Sequence, residues 1–210
     1  MFHGKPIVGI AGGIGSGKSF VARLLGEMAC KIISADDLVK LAYNQEPVRE
    51  TVRQWWGEAV FKPDGSVNRG AIAQKIFVDP AERRRLENLL HPLVAAMRRQ
   101  VMQESAGDPQ VVAFVWDTPL LFESGANDQC DAVIFVDAPP DLRKDRVARD
   151  RGWDEQELAR RENLQWPLDR KRKISDYIIQ STADSGVARS QVRDVLSRIL
   201  ARASHRSAPA

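Results

Sequence analysis

A glycine-rich segment near the start of the chain constrains its fold more than any other feature. Residues 12–19 read Gly-Gly-Ile-Gly-Ser-Gly-Lys-Ser and fill every position of the G-x-x-x-x-G-K-[ST] phosphate-binding pattern. An apolar run at 7–11 precedes the segment, and a helical pattern follows it from Phe20. The pattern binds phosphate in this strand-loop-helix context, because backbone N–H groups at a helix N-terminus attract anions. The alternative is a structural glycine turn, but the complete motif in this context favours a nucleoside triphosphate site.

Each residue type in this phosphate loop (residues 12–19) has an expected role. Lys18 is expected to reach the β- and γ-phosphates, and the Ser19 hydroxyl to hold Mg²⁺. The predicted nucleotide contacts are Gly13, Ile14, Gly15, Ser16, Gly17, Lys18, Ser19 and Phe20.

Short apolar runs predict a parallel sheet. They lie at 7–11, 31–34, 111–116, 132–136 and 177–180, and helical patterns separate them. This order is typical of a doubly wound α/β fold, in which ligands bind beyond the carboxyl ends of the strands. Asp36 is therefore a candidate for orienting an acceptor hydroxyl and accepting its proton, and Asp117 for binding a Mg²⁺ water. The alternatives are helix capping by Asp36 and a strand-end cap by Asp117.

Two helical segments interrupt the predicted core. After the second run, helices predicted at 37–43, 47–56, 69–77 and 80–105 would wall one side of an acceptor pocket. Residues 143–173 hold eleven basic and seven acidic residues, and Asp154 with Glu157 predicts a capped helix from residue 155. This segment is either a lid whose arginines close over the phosphates or a solvated helical hairpin.

Composition narrows the range of partners. The 210 residues carry a net charge of +3, which phosphorylated small molecules explain as well as nucleic acid does. The basic residues of 143–173 alternate with acids, which suits a phosphate clamp better than a duplex footprint, so no nucleic-acid partner is expected. No apolar stretch approaches the length of a membrane span, and the first strand leaves no room for a signal peptide. We expect a cytoplasmic protein that acts on a small molecule.

Further motifs occur in the order seen in dephospho-CoA kinases, which the chain resembles over nearly its whole length. After the phosphate loop come Ser34-Ala35-Asp36, Asn68-Arg69, Leu90-His91-Pro92, Pro119-Leu120-Leu121-Phe122-Glu123 and Gln165-x-Pro-Leu-x-x-Lys171. The His-Pro and Pro-Leu-Leu-Phe-Glu motifs are far more specific than the loop alone. The departures from the family's pattern are Ser34 for the usual Asp, Phe20 for a frequent Thr, and Gln180-Ser181-Thr182 where an Asn is usual.

The resemblance implies a three-layer P-loop NTPase fold with a central parallel five-stranded sheet, a helical acceptor-binding insertion and a helical lid. Residues 1–210 would form a single kinase domain, with its core at 1–36, 106–142 and 174–203, the acceptor-binding region at 37–105 and the lid at 143–173. The implied reaction transfers the γ-phosphoryl group of ATP, with Mg²⁺, to the ribose 3′-hydroxyl of dephospho-CoA, the last step of coenzyme A biosynthesis. The protein would be a monomer or a weak homo-oligomer.

The resemblance also implies roles for particular residues. The implied catalytic residues are Lys18, Asp36, Arg146 and Arg149. The implied acceptor contacts are Asp36, Arg69, His91, Leu120, Leu121 and Glu123, and the implied metal ligands are Ser19 and Asp117. The resemblance does not decide which lid arginine is the main phosphate contact, and Arg151 is a further candidate.

The nearest alternative is another P-loop small-molecule kinase or a nucleoside monophosphate kinase. Those enzymes share the loop and the lid but lack the His-Pro and Pro-Leu-Leu-Phe-Glu pair. A GTP-driven switch reads guanine through Asn-Lys-x-Asp, and this tetrapeptide does not occur in the chain.

Overall fold

The structure, a computed structural model, describes residues 1–182 and 184–207. Within these ranges, 3₁₀ turns lie at Gly57–Val60 and Ala126–Gln129. The strands and helices are, in chain order, β1 (Ile7–Gly12), α1 (Lys18–Glu27), β2 (Cys30–Ser34), α2 (Ala35–Tyr43), α3 (Glu46–Trp56), α4 (Arg69–Val78), α5 (Pro80–Ala106), β3 (Ala113–Asp117), β4 (Ala132–Asp137), α6 (Pro140–Arg151), α7 (Glu155–Glu162), α8 (Leu168–Lys173), β5 (Tyr177–Gln180) and α9 (Ser185–Ser207).

The strands form a parallel sheet in the order β2-β3-β1-β4-β5, counted over the described residues. The prediction of a five-stranded parallel α/β fold is therefore confirmed. The strand predicted at 111–116 begins two residues late, at Ala113, because the Val111 N–H closes a turn on the Asp108 carbonyl oxygen at 3.2 Å.

The chain divides into two compact units. The sheet unit comprises Met1–Ser34 and the described residues from Glu104 onward, and the helical unit comprises Ala35–Gln103. In the sheet unit, buried side chains of β1, β3 and β4 pack against α1 and α9. In the helical unit, α2, α3, α4 and α5 bury a core of their own, made of Ala42, Tyr43, Val48, Val52, Val60, Ile72, Leu86 and Leu90.

The register of the sheet brings the carboxyl ends of its strands to one edge. Asp117 at the end of β3 is paired with Ile10 of β1, and Asp137 at the end of β4 is paired with Gln180 of β5. The phosphate loop leaves β1 at this same edge. Ligand-binding residues are expected here in a parallel α/β sheet.

Helix α2 begins earlier than the sequence suggests. It starts at Ala35, directly after β2, so that Asp36 and Asp37 lie in its first turn. The alternative role of Asp36, capping the N-terminus of this helix, is therefore wrong. Carboxylates in the first turn are favourable in any case, because they face the positive end of the helix dipole.

The charged segment from Arg143 to Lys173 is mostly helical. It includes most of α6, which begins at Pro140, and the whole of α7 and α8. The cap predicted at Asp154 is confirmed, since its Oδ1 accepts the Glu157 N–H at 2.8 Å. No helix in the described part of the chain is both long and apolar enough to cross a bilayer.

Candidate active site

The phosphate loop connects β1 to α1 and packs closely against α6. Gly15 and Gly17 have φ angles of +74° and +97°, a region that favours glycine. A Cβ on Gly15 would lie 2.7 Å from the Arg143 carbonyl oxygen and 2.9 Å from a methyl carbon of Val147. Gly15 therefore has no room for a side chain, and α6 forms one wall of the loop.

Lys18, the first residue of α1, folds its side chain back onto the loop. Its Nζ donates to the carbonyl oxygens of Gly12 and Gly13, at 2.9 Å each. Burial lowers the pKa of Lys18 to about 8; the Asp117 carboxylate opposes this shift, and neighbouring cations, Lys171 first, add to it. The loop therefore concentrates positive charge where an anion would bind.

Oxygen-bearing side chains lie in the phosphate loop and near it. Ser19 is exposed on the first turn of α1, and Asp117 lies close enough to Lys18 to act on its pKa. The Ser16 Oγ is fully buried and has no hydrogen-bond partner among the described residues. Oxygen ligands are the ones that Mg²⁺ prefers, so this set fits a triphosphate with its magnesium ion. Phe20, the remaining predicted nucleotide contact, packs partly buried against the core.

Two arginines of α6 reach the phosphate loop. Arg143 is buried, and its Nη1 donates to the Ile14 carbonyl oxygen at 3.4 Å and to the Glu162 carboxylate. Arg146 Nη1 donates to the carbonyl oxygens of Gly15 and Ser16, at 3.2 and 3.1 Å. The structure thus places both guanidinium groups on the loop backbone.

Ser181 completes the contacts of Arg146. Its Oγ accepts a hydrogen bond from Arg146 Nη1 at 2.8 Å and lies 3.3 Å from where a Cβ on Gly17 would be. One residue of the Gln180-Ser181-Thr182 segment, where an Asn was expected, therefore binds an arginine beside the phosphate loop.

Two other arginines of residues 143–173, Arg149 and Arg161, pair with acids of their own helices. The Arg149 side chain is 72% exposed, and its Nε pairs with the Asp150 carboxylate at 2.8 Å. Arg161 pairs with Glu157 at 2.6 Å, and its guanidinium carbon lies 4.0 Å from the centre of the Trp153 ring. The structure brings Arg146 to the phosphate loop and pairs Arg149 within its own helix.

The Pro-Leu-Leu-Phe-Glu segment after β3 makes two kinds of contact: one of its leucines packs in the apolar interior, and its glutamate forms an ion pair. Leu121 is 1% exposed and packs on the face of β1 at Gly9, where an added Cβ would meet its methyl carbon at 2.6 Å. Leu120 is partly buried in the same turn. Glu123 forms an ion pair with Lys171, with 2.6 Å between Oε1 and Nζ.

Three predicted acceptor contacts belong to the helical unit, and all are exposed. Asp36 lies in the first turn of α2, Arg69 is the first residue of α4, and His91 lies within α5 before Pro92. Burial raises the pKa of Tyr43 to about 12, and Arg69 opposes this shift, so the Arg69 guanidinium lies near the tyrosine.

Sequence reasoning assigned no role to three residues of the site: Arg143, Lys171 and Ser181. Arg143 and Lys171 are two of eleven basic residues in one segment, and no local pattern separates Arg143 from the exposed ones. The fixed spacing of Gln165 and Lys171 in a motif was the available signal for Lys171.

Comparisons with known proteins agree with this arrangement. The family model described as dephospho-CoA kinase matches residues 6–187. A dephospho-CoA kinase from Syntrophotalea carbinolica is 35% identical over 195 residues, which is 92% of each chain. One from Symbiobacterium thermophilum is 38% identical over 89% of this chain and 78% of its own length.

Solved structures share the fold. TT1252 from Thermus thermophilus superposes with a TM-score of 0.79 at 31% identity, covering 92% of this chain and 97% of its own. Dephospho-CoA kinase from Campylobacter jejuni gives a TM-score of 0.68 at 24% identity, covering 94% and 98%. Because the family model spans the sheet, the helical unit and the charged segment alike, this chain belongs to the dephospho-CoA kinase family.

Proposed function

We propose that this chain transfers the γ-phosphoryl group of ATP to the ribose 3′-hydroxyl of dephospho-CoA, the final step of coenzyme A biosynthesis. The observation that carries the proposal is the phosphate loop, with Lys18 bound to its carbonyl oxygens, in a chain that matches the family from residue 6 to 187. Another small-molecule or nucleoside monophosphate kinase is not favoured by that match.

The phosphate loop serves as the ATP site in this proposal. Phosphoryl transfer passes through a loose transition state, so the protein mainly positions groups and neutralises charge. Lys18 would exchange its loop carbonyls for the β- and γ-phosphates, and Arg146 lies on the adjacent loop backbone to add positive charge. Ser19 and Asp117 would hold Mg²⁺, which offsets the negative charge of the phosphates when bound.

The acceptor contacts in this proposal are the residues that the family resemblance implies. Asp36 is exposed and does not cap its helix, so its carboxylate is available to orient the acceptor hydroxyl and take up its proton. The remaining implied acceptor contacts also stay predictions: Arg69, His91, Leu120, Leu121 and Glu123. Cytoplasmic location and a monomeric or weakly oligomeric state also stay predictions.

The proposed acceptor is tested by ADP release with dephospho-CoA, AMP, CMP and shikimate. Only dephospho-CoA is expected to give efficient turnover. Asp36→Asn removes the carboxylate at nearly constant volume, so we expect turnover to fall by about 10²–10⁴-fold with little change in melting temperature. Asp37→Asn, one residue along the same turn, is the matched control and should retain turnover. Preference for another acceptor, or full activity of Asp36→Asn, would contradict the proposal.

A further inference from the structure

The loop after β3 and the region around α8 are joined by an ionic cluster. Glu123 Oε1 lies 2.6 Å from Lys171 Nζ and accepts the Trp166 backbone N–H at 2.8 Å. Lys171, only 2% exposed, also donates to Gln165 Oε1 at 3.0 Å. One carboxylate oxygen therefore holds both ends of the 166–171 stretch.

Aromatic stacking reinforces this junction. The Phe122 ring stacks on the Trp166 ring with centroids 6.2 Å apart and planes 10° from parallel. The Arg170 guanidinium carbon lies 3.7 Å from the centre of the Trp166 ring. Residues 166–171 are thus held by a backbone hydrogen bond, an ion pair and aromatic stacking.

Helix α8 in turn touches the phosphate loop. Methyl carbons of Leu168, its first residue, lie 3.2 and 3.3 Å from where a Cβ on Gly13 would be. The helix also contacts β1 and β4. A displacement of α8 would therefore change its contact with the phosphate loop.

We propose that Glu123 and Lys171 act as a pair of positioning residues, whose directional ion pair sets α8 against the phosphate loop. Glu123 then supports phosphoryl transfer through Lys171 and not by contacting the acceptor. The proposal rests on the kinase activity proposed above and reassigns Glu123 within it.

Energetics favour a positioning role over a purely stabilising one. Taking two charges out of water costs free energy that their attraction offsets only with well-aligned partners, and apolar pairs of similar volume often stabilise as well or better. The second carboxylate oxygen, Glu123 Oε2, is buried without a hydrogen-bond partner in the described residues, which adds to the cost. A hydrogen-bonded ion pair fixes the relative orientation of its two side chains, and an apolar pair does not.

The test is a double-mutant cycle with Glu123→Gln, Lys171→Met and the double variant, measuring kcat, KM for each substrate and melting temperature. Each single variant should lower kcat by roughly 10–10²-fold, the loss expected for misplaced groups, with KM for dephospho-CoA within about twofold of wild type. The double variant should be no worse in kcat than the worse single variant, because the two residues act as a unit. Lys173→Met, an exposed lysine of the same helix, is the matched control and should retain wild-type kinetics.

A second double variant, Glu123→Leu with Lys171→Met, separates positioning from stability. The apolar pair should recover most of the melting temperature that the single variants lose, while kcat stays low. Recovery of both would overturn the proposal, as would an increase in KM for dephospho-CoA confined to Glu123→Gln. The comparison uses whichever acceptor supports wild-type turnover, so inactivity toward dephospho-CoA alone would contradict the proposed function and not this one.

Discussion

The two sides of the charged segment use the same residue types differently. Toward the phosphate loop, Arg143, Arg146 and Lys171 bind loop carbonyls or sit in buried ion pairs. Together with Lys18 of the loop itself, which also binds loop carbonyls, they are called the inner cations. Toward solvent, the outer arginines (Arg149, Arg160 and Arg161) pair with acids one to four residues away on their own helices.

The difference between the inner cations and the outer arginines indicates which charges affect nucleotide binding. Exposed ion pairs are screened by water and salt, so they contribute little. Cations shielded from water interact more strongly with one another and with any anion that reaches them. Burial is the main cause of the lowered pKa of Lys18, and the neighbouring cations lower it further. The inner cations are therefore expected to carry ATP binding and transfer, and the outer arginines to be dispensable.

Among the cations, the largest effect is expected from Lys18→Ala. Removing the ammonium takes away the central positive charge of the loop, and turnover should fall roughly 10³-fold. The melting temperature should not fall substantially, because the ammonium it removes is crowded by like charges. Near-normal turnover in a folded variant would remove the phosphate loop from the mechanism.

A smaller effect is expected from an inner arginine, and none from its outer neighbour. Arg146→Ala removes contacts to Gly15, Ser16 and Ser181, so kcat should fall roughly 10²-fold. Arg149→Ala, one helical turn away, breaks only the exposed pair with Asp150 and should leave kcat close to wild type. Equal losses in both variants would break the distinction between the inner cations and the outer arginines.

The smallest effect concerns pH. The pKa of Lys18 in the protein without nucleotide is lowered to about 8, so the ammonium that binds phosphate is present below this pH and lost above it. kcat/KM for ATP should therefore fall about tenfold per pH unit above pH 8. Lys18→Arg stays charged throughout this range, and its profile should lose the alkaline limb. A limb that persists unchanged in Lys18→Arg would assign the titration to another group.

Much of the fold could be predicted because its signals are local. The strand runs, the glycine loop and the Asp154 cap depend on residues adjacent in sequence, and the structure confirms them. Two predicted element ends were wrong: α2 begins at Ala35 and β3 at Ala113. A helix can follow a strand directly, and a turn can use the first residues of an apolar run.

The sequence by itself determined the family, the order of the strands along the chain and the position of the phosphate loop. Only the tertiary structure decided which of eleven basic residues in 143–173 face the loop, and that Glu123 pairs with Lys171 across 48 positions of the chain. The physical reason is that the burial and the pairing of a charged side chain depend on which residues the fold packs beside it, and these residues can be far away in the sequence.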